Sequence, residues 1–206
     1  MGFALKKDER YTVADYLAWP EDTPRCELID GVVYDMAAPS VEHQELVGGL
    51  YFALETYRRE SSTQGGGFSC MVLLSPVDVI LSEFSVVQPD LVVLCSPAKV
   101  RNGRIHGAPD LVVEVLSPSS AAKDRKHKRR LYELAGVPQY LLIDPAYRYA
   151  ELFSLGTDGR YPESDMLLSD NTLTLQVAPG FSITLANLFG WPLPLEVRQE
   201  IVSYQY

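Results

Sequence analysis

Glu114 places a carboxylate inside the apolar run Leu111-Val112-Val113-Glu114-Val115-Leu116, which is bracketed by Pro109 and Pro118. A short aliphatic run bounded in this way reads as a strand covered on both faces. An ionised carboxylate in such a place is costly unless a metal, a cation or several donors hold it, so the fold is expected to supply one. A hard cation such as Mg²⁺ takes oxygen ligands at about 2.1 Å, and two carboxylates that share it must lie within a few ångströms. Asp110 shares a face with Glu114, but four residues at about 3.3 Å each set the two Cα atoms roughly 13 Å apart. Asp90, at the head of the run Asp90 to Leu94, is the better partner, because a neighbouring strand lies only about 4.8 Å away. The competing reading of Asp90 is a turn-side aspartate at a strand start.

A cation for this site has two possible sources. Two residues past Glu114 on the same face, a lysine would lie beside the acids, but that position is Leu116. The next candidate is Lys128, which at helical spacing shares a face with Leu131, Tyr132 and Ala135 and so points toward the sheet. A solvent-facing i,i+4 pair of Asp124 with Lys128 is the alternative. Residues 123 to 130 read Lys-Asp-Arg-Lys-His-Lys-Arg-Arg and hold six of the 18 Lys and Arg of a chain whose net charge is −9. The overall charge opposes bulk attraction to nucleic acid, whereas the dense segment offers a local phosphate-binding face.

The elements that must position these residues follow from periodicity and punctuation. Residues 11 to 19 have helical spacing, with Thr12 as cap and Pro20 as stop. Asp30-Gly31 between apolar runs predicts a hairpin. Ser40 caps a helix through Arg59 with Leu46, Leu50, Ala53, Leu54 and Tyr57 on one side, and Gly65 to Gly67 end it. Strands are expected over 71 to 74, 77 to 81 and 90 to 94, followed by a turn-rich loop from Ser96 to Gly107. Asp78 lies mid-strand and either joins the site or faces solvent. After the Glu114 strand, Ser119 or Ser120 caps a helix to about Ala135, closed by Gly136. Strands over 140 to 144, 149 to 155 and 173 to 177 complete the pattern. Pro89-Asp90-Leu91-Val92-Val93 is echoed by Pro109-Asp110-Leu111-Val112-Val113, which suggests two neighbouring strands with similar entrances. Helices alternating with groups of strands indicate an α/β fold with a mixed β-sheet flanked by helices.

At 206 residues the chain suits one domain, 1–206, with a core of about 10–190 and a C-terminal extension, 186–206, that packs on the domain or on a second copy. No apolar run reaches the roughly 20 residues of a membrane span and the N-terminus lacks a signal-peptide core, so a cytoplasmic protein without membrane association is expected. Cys26, Cys70 and Cys95 are single and far apart, and each is expected to be a buried free thiol.

Several of these blocks together resemble a known family. Glu27-Leu28-Ile29-Asp30-Gly31, His43 in Val41-Glu42-His43, Pro89-Asp90, the Ala108 to Pro118 segment, and Asp124-Arg125 with Lys128 and Tyr132 resemble the Uma-type restriction endonucleases of the PD-(D/E)XK nuclease superfamily. Gly136-Val137-Pro138-Gln139-Tyr140 before Leu142-Ile143-Asp144-Pro145 continues the match, which covers roughly residues 10 to 190. The resemblance implies a restriction-endonuclease-like fold and a DNA endonuclease that uses Mg²⁺, with Mn²⁺ as a substitute. It makes Asp90 and Glu114 catalytic metal ligands together with the Val115 carbonyl, and it moves the superfamily's lysine to Lys128. Glu27 is a possible further ligand. His43 is either an active-site residue or a helix-start side chain satisfied by backbone. Lys123, Arg125, Lys126, Arg129 and Arg130 would contact phosphates, with a solvated helix face as the rival reading. Cutting both strands implies a homodimer. The alternative function is a catalytically silent module that binds nucleic acid or a partner on the same scaffold.

Overall fold

The computed structural model describes residues 10–63, 68–118 and 120–193. Ser119, Gly65 to Gly67 and the end of the tail, 194–206, lie outside the described residues. The strands are, in order, β1 Cys26–Ile29, β2 Val32–Asp35, β3 Met71–Leu74, β4 Val79–Ser82, β5 Ser85–Val87, β6 Leu91–Leu94, β7 Val100–Arg101, β8 Arg104–His106, β9 Leu111–Val115, β10 Gln139–Asp144, β11 Tyr149–Ser154, β12 Asp165–Leu167, β13 Thr172–Leu175 and β14 Ala178–Thr184. The central sheet has six strands in the order β12-β11-β10-β9-β6-β3, with β9 and β10 parallel and the other neighbours antiparallel. A second sheet runs β2-β1-β5-β4-β8-β7, and β13 pairs with β14 separately. The α/β class and the mixed sheet agree with the sequence reading.

The central strands β6, β9 and β10 are buried at every residue, as expected for strands covered on both faces. On one face, α2 (Val41–Thr63) lays Leu46, Leu50 and Leu54 against Leu91, Val93, Val113 and Leu141. Ser40 caps α2, its Oγ accepting from the His43 N–H at 3.2 Å. On the other face Val92, Val112, Tyr140 and Leu142 meet Ile29, Val79 and Val87 of the second sheet and Leu131 and Tyr132 of the helix that connects β9 to β10. The outer side of the second sheet is covered by α1 (Val13–Leu17), whose Thr12 and Asp15 form a capping box, with Tyr16 and Trp19 packed beside Leu28 and Val86.

The connecting helix, called the basic helix below, is continuous but irregular. Ala121–Lys123 is α-helical, Asp124–Lys128 forms a π segment and Arg129–Ala135 is α-helical again. Gly136 ends it at φ +77°, the left-handed conformation that glycine adopts without strain. The π segment is absent from the sequence reading, which predicts a regular helix.

The two Pro-Asp-Leu-Val-Val stretches are neighbours, as their likeness suggests. They run antiparallel with Leu91 opposite Val113, Val92 opposite Val112 and Val93 opposite Leu111. Each aspartate then ties off the partner's exit: Asp90 Oδ2 accepts from the Val115 N–H and Asp110 Oδ2 from the Cys95 N–H, both at 2.8 Å. The repeated residues thus make one local structure twice, related by the approximate two-fold axis of an antiparallel pair.

Three expectations are corrected. Cys70 and Cys95 are not free thiols: they face each other across β3 and β6 in a disulfide, and only Cys26 is buried and free. The stretch from Ser96 to Gly107 contains the hairpin β7–β8, turned at Asn102-Gly103, where both residues have positive φ. Strands β5, β12 and β14 were not foreseen from the sequence. The described part of the C-terminal extension packs on the domain, with the short helix Leu185–Phe189 and Trp191 in the core.

Candidate active site

Continuing the β6–β9 register by one residue sets Asp90 opposite Glu114, and residues directly opposed in an antiparallel pair project from the same face. That face is the one the basic helix covers. The π segment presents both Asp124 and Lys128 inward, at 1% and 2% exposure. π turns inside α-helices are frequent at functional sites. From the second sheet β1 adds Glu27, fully buried and on the inner face with Ile29.

These side chains meet at Lys128. Its ammonium lies 2.7 Å from Glu114 Oε1 and 2.7 Å from Glu27 Oε1, and 3.6 Å from Asp124 Oδ1. Tyr132, one turn further along the same helix face, donates its hydroxyl to Glu114 Oε1 at 2.7 Å. Glu27 also accepts from the Gln88 N–H at 3.0 Å and from Lys123 Nζ at 2.8 Å. At the other side, His43 Nε2 is 3.1 Å from Asp90 Oδ2. The structure therefore gathers Asp90, Glu114, Lys128, Glu27 and His43, with Val115 holding Asp90 through its N–H. Asp110 sits at the far end of the same strand pair, on Cys95.

The electrostatics are those of a site with too many acids. Three carboxylates, Glu27, Glu114 and Asp124, share the two ammoniums of Lys123 and Lys128, and a fourth, Asp90, is paired with His43. Burial raises the Glu114 carboxyl well above the usual range; Lys128 pulls it back, while Asp124, Asp90 and Glu27 push it further up. Burial also raises Asp124, against the pull of Lys128. Glu27 is opposed by burial too, but two lysines overcome it and hold its carboxyl at about 2. Burial alone would lower Lys128, yet Glu114, Glu27 and Asp124 keep its ammonium well above the ordinary value. Burial likewise pushes His43 down, and Asp90 with the Val115 backbone more than offsets this, for a net rise.

Among the described residues, the buried side-chain polar atoms without a hydrogen bond are His43 Nδ1 and Asp124 Oδ1, and both belong to this cluster. Orphaned buried polar atoms are uncommon and concentrate where a ligand or ion is handled. No group of three or more His, Cys, Asp or Glu side chains among the described residues forms a ready metal cage. Mg²⁺ does not need one, since it is commonly held by one or two carboxylates and completed by water and phosphate oxygens. The donor set of two carboxylates and a backbone carbonyl fits such an ion.

The five cations expected at phosphate do not share one face. Lys123 is drawn inward to Glu27, and Arg125 pairs with Asp144 at 2.8 Å, with Glu151, and with the Tyr149 hydroxyl at 2.6 Å. Arg129 lies over the Phe153 ring, 4.6 Å from its centroid, while Lys126 and Arg130 are exposed. Asp78 is apart from the cluster: it binds Tyr16, Gln88 and Arg104 and helps line an open cleft of about 340 Å³. Sequence reasoning did not single out Asp124 and Tyr132 as site residues. Their signal was present in the helical spacing from Lys128, four residues to either side.

A family model described as "Uma2: Putative restriction endonuclease" matches residues 13–186. An uncharacterized protein, slr1290, of Synechocystis sp. is 31% identical over 161 residues, covering 74% of this chain and 81% of its own length. A crystal structure titled as a putative nuclease belonging to DUF820, from Anabaena variabilis, shares the fold with a TM-score of 0.72 at 19% identity, over 89% of this chain and 99% of the other. By the extent of the family match and of the curated relative, this chain belongs to the Uma2 family.

Proposed function

We propose that the protein is a Mg²⁺-dependent endonuclease that hydrolyses phosphodiester bonds in DNA. The observation that carries this reading is the opposition of Asp90 and Glu114 across β6 and β9 in a cluster where three carboxylates share two ammoniums and the fourth, Asp90, has only His43 as a charged partner. A divalent cation neutralises that surplus. Asp90, Glu114 and the Val115 carbonyl would hold Mg²⁺, or Mn²⁺ in its place, and the ion would supply Lewis-acid polarisation of the phosphate and activation of water.

The chain's own residues do the rest. Lys128 has three N–H donors and spends two on Glu27 and Glu114, which leaves one for the phosphate or the attacking water. Its burial keeps that charge effective against the negative charge that grows on the phosphate. Tyr132 fixes the Glu114 carboxylate, and His43 fixes Asp90 and can take up or release a proton beside it. Glu27 holds Lys123 and Lys128 in place. A cut through both strands would need two such sites and hence a homodimer.

One observation favours a second reading, a silent module that binds nucleic acid. Lys128 already occupies the space between Glu27 and Glu114 and satisfies both. Supercoiled plasmid incubated with the protein and Mg²⁺ separates the two. Nicking that stops with EDTA and is lost in Asp90→Ala and Glu114→Ala, with DNA binding retained, supports the enzyme. Binding without nicking in the parent protein supports the module.

A further inference from the structure

Tyr34 lies directly opposite Glu27 in the β1–β2 pair, so its ring projects on the side of the sheet that carries Glu27 into the cluster. The ring is half-buried, with the Lys123 ammonium 5.6 Å from its centroid, and that same ammonium is bound to Glu27. Near it stands His127, an exposed side chain of the π segment, with ring centroids 6.2 Å apart and planes tilted by 41°. Two aromatic rings that do not stack on each other thus lie next to the Lys123–Glu27 ion pair at the edge of the cluster. Lys126 and Arg130 of the same basic segment are exposed.

Resting on the nuclease reading above, we infer that Tyr34 and His127 form a stacking platform for an unpaired base next to the scissile phosphate, and that the substrate is a single-stranded or frayed segment rather than an intact duplex. Two features carry this choice. Aromatic side chains bind nucleic acid by stacking on exposed base faces, which a closed duplex does not offer. Duplex binding depends on many phosphate contacts, whereas this chain has a net charge of −9, and Lys123 and Arg125 of its one dense basic segment are held in internal ion pairs. A strand end held by one or two cations and a stacked base needs far less positive surface.

The test is binding of the full-length protein, in EDTA so that nothing is cut, to a short oligonucleotide carrying 2-aminopurine, offered as a single strand and as a blunt duplex. The expected result is a single strand bound at least about 10-fold more tightly than the duplex, with quenching of the 2-aminopurine on binding. Tyr34→Leu should weaken single-strand binding roughly 10-fold and remove the quenching, while Tyr34→Phe retains both. His127→Ala, at an exposed position where folding is not at stake, should reduce the quenching as well. Equal or tighter duplex binding overturns the inference, as does unchanged quenching in both Tyr34→Leu and His127→Ala. Metal-dependent plasmid nicking that persists in that case leaves the nuclease reading standing; a protein that neither binds nor cuts any nucleic acid removes both.

Discussion

Replacing Lys128 with Met removes an ammonium that is 2% exposed and bonded at 2.7 Å to two carboxylates. The thioether side chain fills similar space, so the loss is one of charge. Breaking a buried ion pair from one side costs about 3–5 kcal/mol, because the remaining charge stays buried without compensation. For a domain of this size about 4 kcal/mol corresponds to a fall in Tm of roughly 8–16 °C. The sign with pH follows from the acids left behind. Glu114 is already raised above the usual range, so its ionised form costs stability that is recovered as pH falls through its folded value. The deficit of Lys128→Met should therefore shrink on acidification, and a second substitution, Glu114→Gln, should restore more than half of it at neutral pH. Urea titrations followed by circular dichroism at neutral and mildly acidic pH measure all three terms. A Lys128→Met deficit below about 1 kcal/mol, or one that Glu114→Gln deepens, would refute the account of Lys128 as counter-ion to a surplus of acids.

Glu27 gives the opposite sign. Its carboxyl is held at about 2 against an ordinary 4.5, so it contributes stability above pH 4.5 that is lost as pH falls toward 2. Glu27→Gln should remove on the order of 3 kcal/mol of that acid-dependent slope, read from urea midpoints across the range. Tyr132→Phe deletes the hydroxyl bonded to Glu114 and should cost about 1.5–3 kcal/mol at neutral pH in the same titration. Reduction of the Cys70–Cys95 disulfide, or the double serine variant, should lower stability by about 3 kcal/mol, since the bridge closes a loop of 25 residues. Asp110→Ala should cost about 1 kcal/mol for the lost bond to Cys95 and leave plasmid nicking unchanged, in contrast to Asp90→Ala.

What the sequence made legible was conflict between a residue and its surroundings. Glu114 in an aliphatic run demanded a counter-charge, and helical spacing pointed Lys128 toward it, where the two in fact meet. The repeated Pro-Asp-Leu-Val-Val stretches announced neighbouring strands because identical sequences answer identical local needs. What stayed hidden depended on pairing between distant segments. Cys70 and Cys95 become partners only once β3 and β6 are in register. Glu27 enters the sequence reading only as a possible further ligand, yet the fold buries it completely and sets it on two lysines. Lys123 and Arg125 read as free cations because Glu27, Asp144 and Glu151 lie 96, 19 and 26 residues away. The π segment left no trace in the apolar periodicity, since both a π and an α turn keep Lys128 over the sheet.

The near-symmetry of β6 and β9 makes the far end of that ladder a natural counterpart of the end that carries Asp90 and Glu114. Both ends hold an aspartate clamped to the other strand's departing backbone, and extending the register sets Leu94 against Asp110 as it sets Glu114 against Asp90. One side chain, glutamate in place of leucine, thus distinguishes a corner that carries a pair of opposed acids from a corner that only fastens two strands.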